Sequence, residues 1–158
     1  MNPRTRSDSE LTERRIVVWQ FTDGKAGHMN QTRGLIRALA ERLPLEVHAI
    51  AVRKWPWVTG LWAGRRAEHR ALPTPDLLLG TGHRTHPLLL AARFWRGGRA
   101  VVLMRPTIPL SWFDLCIIPD HDLPVRGSGW LEVRGVLNTI QYRAGHEAVR
   151  GLILVGGP

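Results

Sequence analysis

The chain is poor in cysteine, with Cys116 alone, poor in lysine, with only Lys25 and Lys54, and has no apolar run long enough to cross a bilayer. One cysteine excludes an intrachain disulfide, and its place inside the apolar run 115–118 makes a buried, unreactive thiol the default. With so little lysine, nearly all the positive charge is arginine, which suits bidentate phosphate contacts, although a surface arginine is most often simply solvated. The N-terminal stretch MNPRTRSDSELTERR lacks the apolar core of a signal peptide, so a cytoplasmic protein is expected. Beyond that polar tail there is no low-complexity tract, and no repeat at solenoid spacing.

What is present is enough for one ordinary domain and too little for two: 158 residues, 44% of them hydrophobic. A balance of 22 Lys+Arg against 13 Asp+Glu gives a formal charge of +9, which favours anionic partners such as acidic lipid, nucleic acid or phosphorylated metabolites. Nucleic-acid binding would rest on that charge alone, without a recognised motif, and is not expected.

Residues 1–14 read as a flexible tail, and order begins at Arg15. The run 16–19 is continuously apolar, the pattern of a parallel strand covered on both faces. Leu35, Ile36, Leu39, Ala40 and Leu43 then fall three and four apart, predicting a helix over 29–43 that Pro44 ends. Strands follow at 45–52, 77–79, 99–104 and 114–118, with a weaker Trp-bearing helix at 56–70 and a helix from Pro87 to Trp95 that Gly97 and Gly98 close. Residues 130–136 can add an edge strand, and 152–155 read as one more strand entering a glycine turn without its helix, so a truncated chain is expected. Strands alternating with helices predict an α/β domain with a Rossmann-like parallel sheet flanked by helices.

Two Gly-His loops stand out, TDGKAGH at 22–28 and GTGHRTH at 80–86, each following a strand pattern and opening a helix. In an open α/β sheet ligands gather outside the carboxyl ends of the strands, where helix N-termini offer free N–H groups to anions, so both loops are expected to face one cleft. In the first, Asp23, Gly24, Lys25 and Gly27 allow close backbone approach and place a point charge, and His28 can act as a base or a hydrogen bonder. A turn glycine and a capping histidine are the plainer alternative, and neither a P-loop nor a dinucleotide fingerprint is present.

The second loop offers Gly82, His83, Arg84 and Thr85 at a helix start. Arg105, after a strand, is a candidate for recognising phosphate or carboxylate, and Asp120 with His121 and Asp122 forms either an acid-base pair or a polar turn. His28, His83, His86 and His121 match no metal-ligand spacing, so no metal and no cofactor are expected. Trp55, Trp57 and Trp62 among Arg53, Lys54, Arg65, Arg66 and Arg70 resemble a peripheral membrane segment, against a half-buried helix as the favoured alternative.

The blocks TDGKAGHMNQ, DLLLGTGHRTHPLLLAAR, VVLMRPTIPLSWFDLCIIPDHD and LILVGGP, in that order, resemble the mitochondrial-fission "elongated mitochondria" family of plants and its bacterial relatives, over residues 19–158. That family is similar to GT-B glycosyltransferases, two Rossmann-like domains around a cleft. The resemblance implies that 15–148 is the N-terminal, acceptor-side domain and 149–158 the start of a second domain that holds most of a nucleotide-sugar donor, so this fragment would be inactive alone. By position, His28 matches the Gly-His loop that the lipid-linked peptidoglycan transferase sets beside its reaction centre, which implies a catalytic base, with Gly82, His83, Arg84 and Arg105 on the acceptor side.

The expected activity is sugar transfer from a nucleotide sugar to a glycan or lipid-linked acceptor of the cell envelope, at the cytoplasmic membrane face. Two alternatives stay open. Bacterial members have been read as nucleotide-sugar epimerases, and plant members act as recruitment factors for a dynamin-type division machine, a non-enzymatic scaffold role.

Overall fold

Six strands, the four central ones mainly apolar, lie side by side as one parallel sheet in a computed structural model that describes residues 14–52, 71–122 and 127–140. In chain order the elements are β1 (Ile16–Thr22), α1 (Ala26–Ala40), β2 (Leu45–Ala51), β3 (Leu77–Thr81), α2 (His86–Arg96), β4 (Arg99–Leu103), β5 (Leu115–Pro119) and β6 (Trp130–Val133). The strand order is β2-β1-β3-β4-β5-β6, an α/β Rossmann-like arrangement. β1 pairs with β2 from Ile16↔Leu45 to Thr22↔Ala51, and on its other side with β3 from Val18↔Leu77 to Phe21↔Gly80.

Strands with no polar alternation need cover on both faces, and they have it. On one face Trp19, Phe21, Leu78, Val102, Cys116 and Ile118 meet Leu88, Leu89 and Ala92 of α2. On the other, Val18, Leu79, Val101, Leu103 and Ile117 meet Leu35 and Ile36 of α1, joined by Val133 and Leu137 from the end of the described chain. Cys116 is fully buried, and burial pushes its thiol up to about 11, so it is chemically inert at neutral pH.

The amino ends of the strands are tied down by two carboxylates that stand ahead of β3 and β5. Asp76 accepts the Val17 N–H at 2.9 Å and Asp114 accepts the Ala100 N–H at 2.8 Å, each satisfying the donor of the second residue of the neighbouring strand. Burial pushes the Asp114 carboxyl up, but the Ala100 N–H, the Arg99 hydrogen bond and the charges of Arg93 and Arg99 together hold it below its ordinary value.

Several boundaries differ from those the sequence predicts. α1 begins at Ala26 rather than 29, because Met29 N–H already bonds the Lys25 carbonyl at 3.0 Å, so Gly27 and His28 lie in the first helical turn. It ends at Ala40, and Leu43, placed by periodicity on the buried stripe, is 39% exposed. The side chain of α1 buried deepest is Thr32, which accepts a hydrogen bond from Gln20 of β1 at 2.7 Å. β3 runs through Gly80 to Thr81, and β6 stops at Val133. α2 closes as expected at Gly97, φ 78°, whose N–H bonds the Arg93 carbonyl at 2.9 Å. Of the tail expected at 1–14 only Arg14 is described, its guanidinium 2.7 Å from Asp76, and the Trp55, Trp57 and Trp62 segment and the second-domain start expected at 149–158 fall outside the described residues.

Candidate active site

β1 and β3 are neighbours whose following helices depart in opposite directions, α1 leading to β2 and α2 toward β4. The carboxyl ends of such a pair diverge, and the crevice between them is where ligands sit in open α/β sheets. Both Gly-His loops open there.

They also touch. Gly82 has φ +84°, and a Cβ built on it would stand 2.5 Å from His28 Nδ1 and closer still to His28 Cε1, so the imidazole occupies the space that a side chain at 82 would fill. Gly82 is therefore required twice, for its backbone conformation and for its missing side chain.

His28 is held from its own loop as well. Its Nδ1 lies 3.0 Å from Asp23 Oδ2, and the Asp23 side chain is only 2% exposed against 19% for the imidazole. The other carboxylate oxygen accepts the Lys25 N–H at 3.1 Å, in a turn where Gly24 takes φ +81° and donates to Thr22 Oγ1 at 3.2 Å. Burial pushes the Asp23 carboxyl up, but the Lys25 N–H, the His28 hydrogen bond and the charges of His28 and Lys25 outweigh it and hold the group below its ordinary value. An ionised carboxylate can only accept, so Nδ1 of neutral His28 carries the hydrogen and Nε2 is left with a free lone pair. Buried carboxylate, oriented imidazole and partly open ring are the parts of a general base.

Other loop residues divide between shaping the crevice and facing solvent. Thr85 is fully buried and its hydroxyl donates to the Gly82 carbonyl at 2.8 Å, so it fixes the turn and offers no donor to a ligand, contrary to the binding role expected for it. His83 and Arg84 are exposed beside it, as are Gly24, Lys25 and Gly27 on the first loop, with open space around Gly24 and Gly27.

Arg105 is exposed after β4 and reaches the Asp122 carbonyl at 3.5 Å. Asp120 and His121 form a 3₁₀ turn after β5, two strand spacings or about 10 Å along the sheet from β3. There Asp120 accepts the N–H groups of His121 at 3.0 Å and Gly135 at 3.2 Å, which ties two loops together. His121 sits 3.6 Å from Asp120 and 4.0 Å from Asp122 with its side chain 58% exposed, so this cluster shares the edge with His28 without a contact to it. Among the described residues no group of three or more His, Cys, Asp or Glu is placed to hold a metal ion.

Three contributors carry no mark in the sequence. The Gln20–Thr32 hydrogen bond pins the first turns of α1 to β1, with Thr32 donating back to the carbonyl of Met29 at 3.1 Å. Met104, at the carboxyl end of β4, adopts φ 73°, an uncommon conformation for a side-chain-bearing residue, and its sulfur lies 3.6 Å from Gln31 Nε2 of α1. Finally, the chain after β6 returns to α1: Thr139 donates to Asn30 at 2.7 Å, and Gly34 packs directly on the Asn138 backbone, where a Cβ would meet the carbonyl carbon at 2.7 Å. The turn that carries His28 is thus braced from three sides.

A doubly wound parallel-sheet domain with a histidine-bearing crevice at its switch point is the class these features define. Residues 26–158 match the family model described as Mitochondrial fission ELM1, and the chain belongs to that family. No curated protein and no solved structure matches it significantly.

Proposed function

We propose that the whole protein transfers a sugar from a nucleotide-sugar donor to a hydroxyl of a cell-envelope acceptor, with His28 as the general base. The observation that carries this reading is the Asp23–His28 pair seated against Gly82 at the switch point. Nε2 takes the proton of the acceptor hydroxyl as its oxygen forms a bond to the anomeric carbon. The bond from that carbon to the diphosphate oxygen breaks, and the nucleoside diphosphate leaves with the electron pair. Cationic groups steady the departing diphosphate, while Arg84 and Arg105, exposed at the carboxyl edge, line the acceptor side and Lys25 places a point charge at the first loop. The resemblance to GT-B enzymes supports an acceptor-side role for this domain, with the donor held mainly by a second domain and the work done at the cytoplasmic face of the membrane.

Product analysis tests the reaction class. The intact protein, given a nucleotide sugar alone, is expected to leave it unchanged and to release nucleoside diphosphate only when an envelope acceptor fraction is added. Inversion of the sugar in the absence of acceptor would make the protein an epimerase. No turnover and no ligand-induced thermal stabilisation across a panel of nucleotide sugars would favour a non-enzymatic scaffold role.

A further inference from the structure

At the opposite, amino-terminal edge of the sheet, three large aromatics face solvent: Phe94 is 76% exposed, Trp95 45% and Trp112 54%. Phe94 and Trp95 stand on the last turn of α2 with their rings edge to face, 5.0 Å between centroids. Trp112 closes the 3₁₀ turn Leu110–Trp112 just ahead of β5. Arg93 joins the two, donating to the Trp112 carbonyl at 2.6 Å and to Asp114 at 3.1 Å.

Positive charge outweighs negative around these rings. Arg93 and Arg99 share the one carboxylate of Asp114, and Arg96 beside them donates to the Leu72 carbonyl. Residues 77–113, which include all of α2 and β4, hold Arg84, Arg93, Arg96, Arg99 and Arg105 and no Asp or Glu. Exposed aromatic patches on a soluble face mark a docking surface, and tryptophan beside cationic side chains is the composition that enters the headgroup layer. A second copy fits poorly, because a two-fold contact through this patch would set its arginines against themselves.

We infer that the Phe94, Trp95 and Trp112 patch, with Arg93, Arg96 and Arg99, docks the protein on an anionic lipid surface. The inference does not depend on the reaction proposed for the Gly-His loops. α2 spans the distance between the two edges, about 16 Å for its 11 residues, so docking leaves the His28 crevice open. Arginines at the rim draw the chain to acidic headgroups, and the aromatic rings then insert.

Vesicle flotation tests it with the chain as it stands. The wild type is expected to float with phosphatidylglycerol-containing vesicles, to stay behind with pure phosphatidylcholine and to be released by high salt. The triple variant Phe94→Ser/Trp95→Ser/Trp112→Ser should partition about tenfold more weakly or worse, with an unchanged circular dichroism spectrum. Should the triple variant fail to fold, single Phe94→Ser and quenching of wild-type tryptophan fluorescence by brominated phosphatidylglycerol give the same readout. Failure of the wild type to bind anionic vesicles would overturn the inference, as would equal binding by the variant. So would a wild-type dimer that the variant dissociates without change in flotation, since the patch would then be a protein interface.

Discussion

Replacing His28 with alanine is expected to lower kcat for sugar transfer by about 10²–10⁴-fold while leaving donor KM nearly unchanged. The imidazole has Nδ1 on Asp23 and its ring against Gly82, so what the substitution removes is the lone pair on Nε2. In the proposed transfer, only the transition state, where the acceptor hydroxyl is losing its proton, uses that lone pair. Asp23→Asn should cost a similar order, because an asparagine can turn an N–H toward Nδ1 and so favour the wrong tautomer. The double variant should then lose no more than His28→Ala alone, the non-additivity expected of two groups acting as one unit. Additive losses would separate Asp23 from the mechanism.

Acid should weaken the fold well before its carboxylates titrate. His86, at the start of α2, is 4% exposed, its Nδ1 has no partner among the described residues, and its ring meets Phe113 edge-on at 5.1 Å. Burial, with a smaller contribution from the charge of His83, lowers it from 6.5 to about 4. Because the folded value is depressed, the native state keeps His86 neutral while the unfolded chain takes up a proton below its ordinary value. Stability is therefore full above pH 6.5 and falls as the pH drops toward 4, by up to about 3 kcal/mol for the protonation gap.

Asp23 and Asp114 are likewise held below their ordinary 3.8, so the stability they supply is also lost in acid, but at a lower pH than the loss through His86. Denaturant melts at pH 7 and pH 4.5 should show most of the His86 loss in the wild type and a much flatter response in His86→Leu. An equally steep loss in the variant would assign the acid sensitivity elsewhere.

The sheet was legible because its strands carry no alternation: IVVW, DLLLG, AVVL and LCII can only be covered on both faces, and parallel strands joined by helices do that. The Gly-His loops were legible because glycines next to strand ends signal positive φ and close approach, and Gly82 meets both conditions. Side-chain partners were not. Asp23 read as one ligand-facing residue among several, and nothing in its spacing distinguishes a carboxylate that meets solvent from one folded back on His28 five residues later.

Thr85 and His86 show the same limit, since a polar residue at a helix start reads as exposed, and only packing against Gly82, Gly80 and Phe113 buries them. Met104 carries its information in a backbone angle that its residue type does not announce. The start of α1 was misplaced because the apolar stripe begins a turn later than the helix, whose first residues are the loop itself.

Nuclear magnetic resonance on the free chain reads the meeting of the two loops without any ligand. In its neutral form the His28 imidazole should give the Nδ1–H tautomer with a hydrogen-bonded proton that disappears in Asp23→Asn, and its Hε1 should show a nuclear Overhauser contact to Gly82 Hα. An Nε2–H tautomer with no contact to Gly82 would place the two loops apart and leave His28 without the orientation a base requires.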